Sequence, residues 1–202
     1  MRKVIANLGW FLSPTRKIID LWKVRVRDDR VYRGKTLRRW NLWLFYVEIV
    51  VCAAFMLLFR GEPSSHLNFT EGVLVFYAWS RINEIAYAFY CDPLSQSKES
   101  DLKVNDRIRM AMRSYFGLGF NFAVLYYFLP ITGLFRVGEQ SHLGSFAESV
   151  YFSGVTLATL GYGDVVPTYW VSRLLALYEV FTGILIIAVA VATYVGRTKD
   201  ED

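Results

Sequence analysis

Apolar residues in this chain are concentrated in four long runs, and most charged residues lie between these runs. The runs cover residues 42–59, 72–90, 115–135 and 170–195. At about 1.5 Å per residue in a helix, each run is long enough to cross a hydrocarbon core of about 30 Å. The pattern therefore predicts an all-α integral membrane protein with four transmembrane helices.

The basic residues also support four crossings, although the second run is interrupted by polar side chains at 81–84. Segments 1–41, 91–114 and 196–202 hold 12, 5 and 2 of the 23 Lys and Arg residues. Four crossings place all three segments on one side, and the positive-inside rule makes that side cytoplasmic. We therefore predict a multi-pass protein of the plasma membrane, with both termini in the cytoplasm. The short loops are typical of a bacterial protein.

The basic N-terminal segment has two interpretations that the sequence leaves open. Residues 15–24, TRKIIDLWKV, either form an interfacial helix on an anionic lipid leaflet or belong to a solvated basic tail. The net charge of +5 could also indicate a nucleic-acid partner. The basic residues instead flank apolar runs as membrane topology requires, so no nucleic-acid binding is expected.

Side chains for catalysis or metal binding are scarce in this chain. It has two cysteines, Cys52 and Cys91, with no CxxC pair, and two histidines, His66 and His142, far apart in sequence. These residues offer no metal-ligand spacing and no catalytic cluster. We therefore predict a protein that is not an enzyme and uses no cofactor.

The connection between the third and fourth runs, residues 136–169, is long enough to have structure of its own. Ser145 and Glu148 form a capping box that opens a short helix over 146–159. This helix is too short to span a membrane, so it is expected to be re-entrant and buried in protein.

The sequence TLATLGYGDVVP follows at the end of this short helix, at residues 156–167. A cation that loses its water needs oxygen ligands, and several backbone carbonyls supply them if they point the same way. Gly161 and Gly163 permit this arrangement because glycine readily adopts positive φ. Thr159 adds a hydroxyl below the carbonyls, and Tyr162 points away from the ion as a packed spacer. The short helix directs the negative end of its dipole towards the cavity below.

Residues 115–195 resemble the pore domain of the potassium channel family, with an outer helix, a pore helix, a filter and an inner helix. The family signature is T-V-G-Y-G-D. The corresponding residues here are Thr159, Leu160, Gly161, Tyr162, Gly163 and Asp164. The resemblance implies a small bacterial channel with four helices per subunit, in which the carbonyls of residues 159–162 and the Thr159 hydroxyl bind K+.

The resemblance also implies roles for residues around the filter. Asp164 sits behind its outer mouth and is bonded towards the pore helix, where Tyr151 and Phe152 occupy the supporting aromatic pair and Tyr151 is the candidate donor. On the inner helix, Gly183 matches the hinge glycine, and Ile184, Ile187 and Val191 face the cavity. Glu179 either enriches cations in that cavity or bonds to the base of the pore helix.

One chain holds one filter motif, whereas a ring of carbonyls in this family needs four, so a homotetramer is expected. The predicted parts are a basic segment (1–41), two additional helices (42–90), a cytoplasmic linker (91–114), the pore domain (115–196) and a short tail (197–202). Leu160 replaces the common valine, which leaves a weakly selective monovalent cation channel as an alternative. A non-conducting regulatory or transporter subunit is the other alternative function.

Charged residues inside the additional helices are costly in lipid and are expected to be paired. We predict that Arg81 pairs with Glu48, Glu84 or both, and so holds these two helices together. A sensor of voltage or protons is the alternative interpretation of this group. Only two predicted helices precede the pore domain, so a voltage-sensor domain of four helices is not expected.

Overall fold

The computed structural model describes residues 30–60, 68–91, 104–129, 133–140 and 142–200. The segment 15–24 and residues 92–103, half of the predicted cytoplasmic linker, therefore lie outside the described residues. Within the described ranges the chain forms five helices and two short strands. In chain order these are α1 (Arg30–Leu58), α2 (Phe69–Cys91), α3 (Val104–Phe128), β1 (Phe135–Val137), α4 (Phe146–Leu157), β2 (Val165–Pro167) and α5 (Trp170–Asp200).

The helices correspond to the predicted ones, but several of their ends differ. α1 begins at Arg30 rather than at residue 42, because the basic stretch before the apolar run continues the same helix. α3 begins at Val104, inside the segment expected to be a linker, and ends at Phe128 instead of residue 135. Pro130 follows closely, and the residue before a proline is disfavoured in a helix.

The apolar residues at the end of the third run form a strand instead of more helix. β1 pairs antiparallel with β2, with Phe135 opposite Pro167 and Val137 opposite Val165. The Thr168 backbone N–H extends this connection by donating to the Leu134 carbonyl at 3.0 Å. This small sheet, which the sequence did not predict, joins the segment after α3 to the segment that precedes α5.

α3 occupies the centre of the protomer and packs against α1, α2, α4 and α5. Leu118 and Phe122 on this helix are fully buried, and Leu125 and Tyr126 are nearly so. A helix that is apolar around most of its circumference is expected at such a central position. The pore-like half of the chain and the two additional helices therefore share one helix as their common core.

The end of α1 contacts the beginning of α4. The Phe146 backbone N–H donates to the Phe59 carbonyl at 3.1 Å. The rings of Phe55 and Phe146 also meet edge to face, with their centroids 5.4 Å apart. α1 therefore fixes the point at which the short helix α4 starts.

Two of the described helices contain segments long and apolar enough to cross a membrane. These segments are Gly34–Leu58 in α1 and Trp170–Gly196 in α5. α2 and α3 have 23 and 25 residues, which corresponds to roughly 35 Å of helix each. Both carry charged residues that reduce their apolar character.

Candidate functional site

The short helix α4 is capped as the sequence predicts. The Ser145 Oγ accepts from the Glu148 backbone N–H at 3.3 Å, and Glu148 in turn accepts from the Gly144 N–H at 2.6 Å. The Glu148 carboxylate thus reaches the residue before the cap rather than the cap itself. This interaction fixes the beginning of α4 and thereby the position of the segment that follows it.

The other end of α4 is held by hydrogen bonds from two directions. The Tyr115 hydroxyl of α3 donates to the Leu157 carbonyl at 2.9 Å, which satisfies one of the free carbonyls at a helix end. The Leu160 N–H donates to the Val155 carbonyl at 3.0 Å. The chain therefore leaves α4 two residues earlier than predicted and enters a tightly fixed turn.

In the filter segment, residues 159–164, the sign of φ alternates. φ is +54° at Thr159, +58° at Gly161 and +78° at Gly163, and it is negative at the residues between them. Helices and strands keep one sign of φ along the chain. The alternation turns every second peptide unit around, which is the change needed to bring successive carbonyl oxygens to one side.

Thr159 is the described non-glycine residue with positive φ. For a β-branched side chain this conformation is strained, and such strain persists only where the surroundings impose it. The turn described above imposes it, because the Thr159 N–H donates to the Thr156 carbonyl at 3.0 Å. Strain of this kind is concentrated at functional sites, which singles out Thr159 independently of the motif.

The filter segment lies on an open face of the protomer. All six of its residues are exposed, and the side chains of Leu160 and Tyr162 are 56% and 66% exposed. The protomer thus leaves the apolar side chains of this segment uncovered.

The structure brings Tyr151 and Asp164 together and separates Phe152 from them. The Tyr151 hydroxyl donates to Asp164 Oδ2 at 2.6 Å, and the Val165 N–H donates to Oδ1 at 3.0 Å. The hydrogen bond from Tyr151 lowers the pKa of Asp164 below its ordinary value. Phe152 instead packs in the core against Tyr126 and Phe135, so its expected place beside the filter aspartate is corrected.

Glu179 is directed into the protomer rather than towards the open face. Its carboxylate is fully buried and accepts hydrogen bonds from the Tyr126 hydroxyl, at 2.6 Å, and from the Ser153 hydroxyl. These donors lie on α3 and α4, so Glu179 joins the inner, outer and pore helices. The cavity-lining alternative therefore does not fit this geometry, and the alternative of a bond to the pore helix does.

The other inner-helix residues divide between two faces of α5. Ile184, Ile187 and Val191 are exposed on the open face, at 52%, 48% and 55%. Gly183 is buried beside this face, where an added Cβ would lie 2.8 Å from the Leu157 side chain. The glycine therefore allows α5 to approach the end of α4 closely, and α5 remains helical at this position.

The predicted group of Glu48 on α1 and Arg81 and Glu84 on α2 lies beside α3. Arg81 contacts Glu48 at 3.0 Å and Glu84 at 3.2 Å, and Glu48 and Arg81 are more than nine-tenths buried. Asn121 of α3 donates to the same Glu48 oxygen at 3.1 Å. An added Cβ at Gly117 would collide with Glu48, so glycine makes room for the carboxylate.

Sequence reasoning missed the polar partners contributed by α3 and α4. Asn121, Tyr126 and Ser153 each satisfy a buried carboxylate, but each lies in a stretch that otherwise looks like ordinary apolar helix. Asn121 is the one with a usable signal, because an amide near the middle of an apolar run needs a partner. Among the described residues, no cluster of His, Cys, Asp and Glu could hold a metal ion.

Comparison with known proteins points to the same region. The profile of a family described as "Ion channel" matches residues 114–199, which include α4, the filter segment and α5. Protein LctB of Bacillus caldotenax is 33% identical over 92 residues, which represent 43% of this chain and 68% of that protein. No solved structure matches the chain.

Proposed function

Because the chain belongs to the ion channel family whose profile matches residues 114–199, we propose that four copies form a potassium-selective channel. K+ moves passively down its electrochemical gradient through a central pore. The carbonyls of residues 159–162 and the Thr159 hydroxyl bind the dehydrated ion at successive levels. Asp164 and Tyr151 brace the outer end of this path.

The observation that carries the proposal is the alternation of φ at Thr159, Gly161 and Gly163 on an exposed face. Carbonyl dipoles that point to one side replace the hydration shell of a cation without bringing a net charge. A chance turn with the sequence GYG would not be expected to combine positive φ at three alternate residues with a strained threonine and a hydrogen-bonded aspartate. The arrangement is therefore best explained as an ion-binding surface.

The tetramer is supported by apolar side chains that the protomer leaves uncovered. On α5 they recur every three or four residues, which is the spacing of one helical face. The exposed residues in this series are Leu174, Leu177, Phe181, Ile184, Ile187, Val191 and Val195. In the tetramer, part of this face lines the cavity and part contacts the neighbouring subunit.

We further propose that α1, α2, α3 and α5 all cross the bilayer and that α4 is re-entrant. α1 and α5 contain long apolar segments, and the charges in the middle of α2 are paired inside the bundle rather than exposed to lipid. The basic segments then lie in the cytoplasm, and β1 and β2 lie on the outer side.

A weakly selective cation channel is the second candidate, and Leu160 is the residue that favours it. Leucine is not β-branched and therefore restricts its backbone less than valine. Its side chain is also half-exposed in the protomer, so neighbouring subunits must hold it. Selectivity therefore depends on packing within the tetramer.

The proposal is tested by an ion-flux assay on purified protein in liposomes, combined with chemical cross-linking. We expect cross-linked species up to the tetramer, potassium efflux from loaded vesicles, and little sodium efflux under the same gradient. Equal efflux of both ions would favour the second candidate. Protein that is only monomeric or dimeric in the membrane, with no efflux, would contradict both.

A further inference from the structure

A cavity of about 250 Å³ lies between α1, α2 and α3 and also contacts Phe146, the first residue of α4. Apolar side chains form most of its wall, including Val51 and Phe55 of α1, Leu74 of α2 and Val124 of α3. These four side chains are only partly buried. The cavity is therefore open to the surroundings of the helices, which in the proposed arrangement are lipid.

Three polar residues also line the cavity: Glu48, Tyr77 and Asn121. Arg81 and Asn121 both donate to Oε1 of Glu48, at 3.0 and 3.1 Å, so the carboxylate is held in one position. A carboxylate has about four acceptor sites, and a tyrosine hydroxyl can both donate and accept. The wall can therefore form hydrogen bonds with a ligand that enters from the lipid.

The charges beside the cavity restrict the ligand to an uncharged hydrogen-bond donor. Glu48 and Glu84 both pair with the guanidinium of Arg81, and Glu48 is the member of this group that lines the cavity and presents its carboxylate there. Anionic ligands such as fatty acids and phosphates are repelled by it. A hydroxyl group, in contrast, donates to the carboxylate without adding charge.

The depth and size of the cavity favour a small free molecule. Glu48 lies six residues from the inner end of the apolar run 42–59, about 9 Å into the hydrocarbon, so a hydroxyl that reaches it has left the headgroup region. Apolar cavities exclude water, and one of about 150 Å³ already accommodates benzene. A cavity of 250 Å³ has room for a somewhat larger molecule.

We propose that this cavity binds a small uncharged molecule with an apolar body and one hydroxyl group, of the size of a six-carbon alcohol or a phenol. The hydroxyl donates to Glu48, and the apolar body lies against Val51, Phe55 and Val124. Occupancy stiffens the contact between α1 and the first residue of α4. Binding does not depend on the proposed conduction, so the two can fail separately.

Cys52 provides a direct test, because it lines the cavity and is a free thiol that is otherwise buried, so a reagent reaches it through the cavity. The pH and time of labelling are set so that the protein without added ligand reacts measurably. The full chain in liposomes is alkylated with N-ethylmaleimide, and labelling of the Cys52 peptide is followed by mass spectrometry with 1-hexanol or n-hexane present. We expect 1-hexanol to slow labelling at a concentration about tenfold lower than n-hexane, because only the alcohol donates to Glu48. Equal protection by both compounds would overturn the proposal.

Variants that fill the cavity supply the control. Val124→Phe, and independently Val51→Phe on another helix, should abolish the difference between the two compounds. Val73→Phe makes the same change at an exposed position outside the cavity wall and should leave the difference intact. Protection by 1-hexanol that persists in both filled variants would show that it acts elsewhere and would also overturn the proposal.

Discussion

At the scale of single residues, the backbone of the filter segment sets the demands on its side chains. Thr159 with φ at +54° carries a cost of about 1–3 kcal/mol that a glycine there would avoid. In the proposed channel the Thr159 hydroxyl binds the ion, which gives a reason for a threonine at this strained position. Gly161 and Gly163 adopt the same region of φ without this cost.

Replacing Gly161 with alanine should abolish conduction. A Cβ at φ +58° costs about 1–2 kcal/mol, and relief of this strain would turn one carbonyl away from the ion path. Single-channel recording of the purified variant measures the effect, and gel filtration shows whether the tetramer still forms.

Gly138→Ala is the matched control for this change. Gly138 also has φ +58°, and an added Cβ there likewise meets nothing within 4 Å, but it lies in the turn after β1. The control should lose similar stability and keep conduction. Equal loss of conduction in both variants would show that backbone strain alone, and not the ion path, explains the result.

Tyr151→Phe should make conduction more sensitive to external acid. The Tyr151 hydrogen bond lowers the pKa of Asp164, so its removal lets that pKa rise towards the ordinary value of 3.8. A lowered carboxyl pKa gives stability that is present above the ordinary pKa and is lost as pH falls through the folded pKa. In the variant, Asp164 therefore takes up a proton at a higher pH, and its remaining hydrogen bond, from the Val165 N–H, weakens there.

Conductance measured while external pH is lowered from 7 towards 3 tests this prediction. The acid loss of current should shift to higher pH in Tyr151→Phe relative to the unmodified protein. Tyr169→Phe, which removes another exposed hydroxyl near the outer segments, should leave the profile unchanged. Identical profiles for all three proteins would refute the bracing role.

Glu179→Gln should weaken the protomer more than it changes ion conduction. The carboxylate accepts from two hydroxyls, whereas an amide presents one acceptor oxygen and leaves a buried group mismatched, at a cost of about 1–3 kcal/mol. Thermal unfolding in detergent should shift to lower temperature. Glu139→Gln, at an exposed turn, should not shift it.

Single-channel conductance separates this bracing role from a role in the cavity. We expect channels of Glu179→Gln that open to show nearly unchanged conductance, because the carboxylate faces α3 and α4. A large fall in conductance with unchanged thermal stability would instead indicate that the charge acts on ions in the cavity.

At the scale of elements, α2 contacts both α1 and the inner helix α5. Arg81 faces Glu48 of α1, while Asn83 accepts from the Tyr178 hydroxyl of α5 at 3.1 Å. Trp79 also contacts the Tyr178 ring. Tyr178 is adjacent in sequence to Glu179, which bonds to α4. A shift of α2 would therefore act on α5 next to the residue that holds α4.

Arg81→Ala should destabilise the protein strongly. It leaves the buried Glu48 and its neighbour Glu84 without their shared cation, and breaking a buried ion pair typically costs about 3–5 kcal/mol. Thermal unfolding of the purified variant measures the loss.

Arg38→Ala is the control for the loss of an arginine. Arg38 pairs with Asp106 at 3.5 Å with half of its side chain exposed, and exposed pairs contribute about 0–1 kcal/mol. It should unfold at nearly the temperature of the unmodified protein. Equal shifts for the two variants would mean that Arg81 is not the residue that holds α1 to α2.

Local sequence patterns predict the helices and the filter motif. The features that these patterns do not predict depend on tertiary contacts. Apolar runs predict the helices, and Ser145 with Glu148 predicts the start of α4. The end of α3 depends on Pro130 and on the pairing of Phe135 with Pro167, which lies far along the chain. No local pattern encodes such a pairing.

The hydrogen-bond donors to the buried carboxylates could not be predicted for a related reason. Glu48 and Glu179 were recognisable as costly charges, but their donors on α3 and α4 are 26 to 73 residues away. Only the three-dimensional arrangement shows that Glu179 faces the protomer core. The exposed face of α5 follows from helical spacing once the buried face is known.

At the scale of the whole molecule, one protomer would be incomplete as the ion path of the proposed channel. Its filter residues and the apolar face of α5 stand exposed on one side, while α3 closes the other side with a continuous core. Four copies that meet at the exposed face would enclose the row of carbonyls. The additional helices would then lie at the periphery, with the charged group of α1 and α2 buried against α3.

The central claim is selective potassium conduction, and reversal potentials in planar bilayers with potassium on one side and sodium on the other test it most directly. Purified protein should give single-channel currents that reverse far from zero, on the side set by potassium. Gly161→Ala should remove these currents, and Gly138→Ala should retain them. A reversal potential near zero would contradict potassium selectivity.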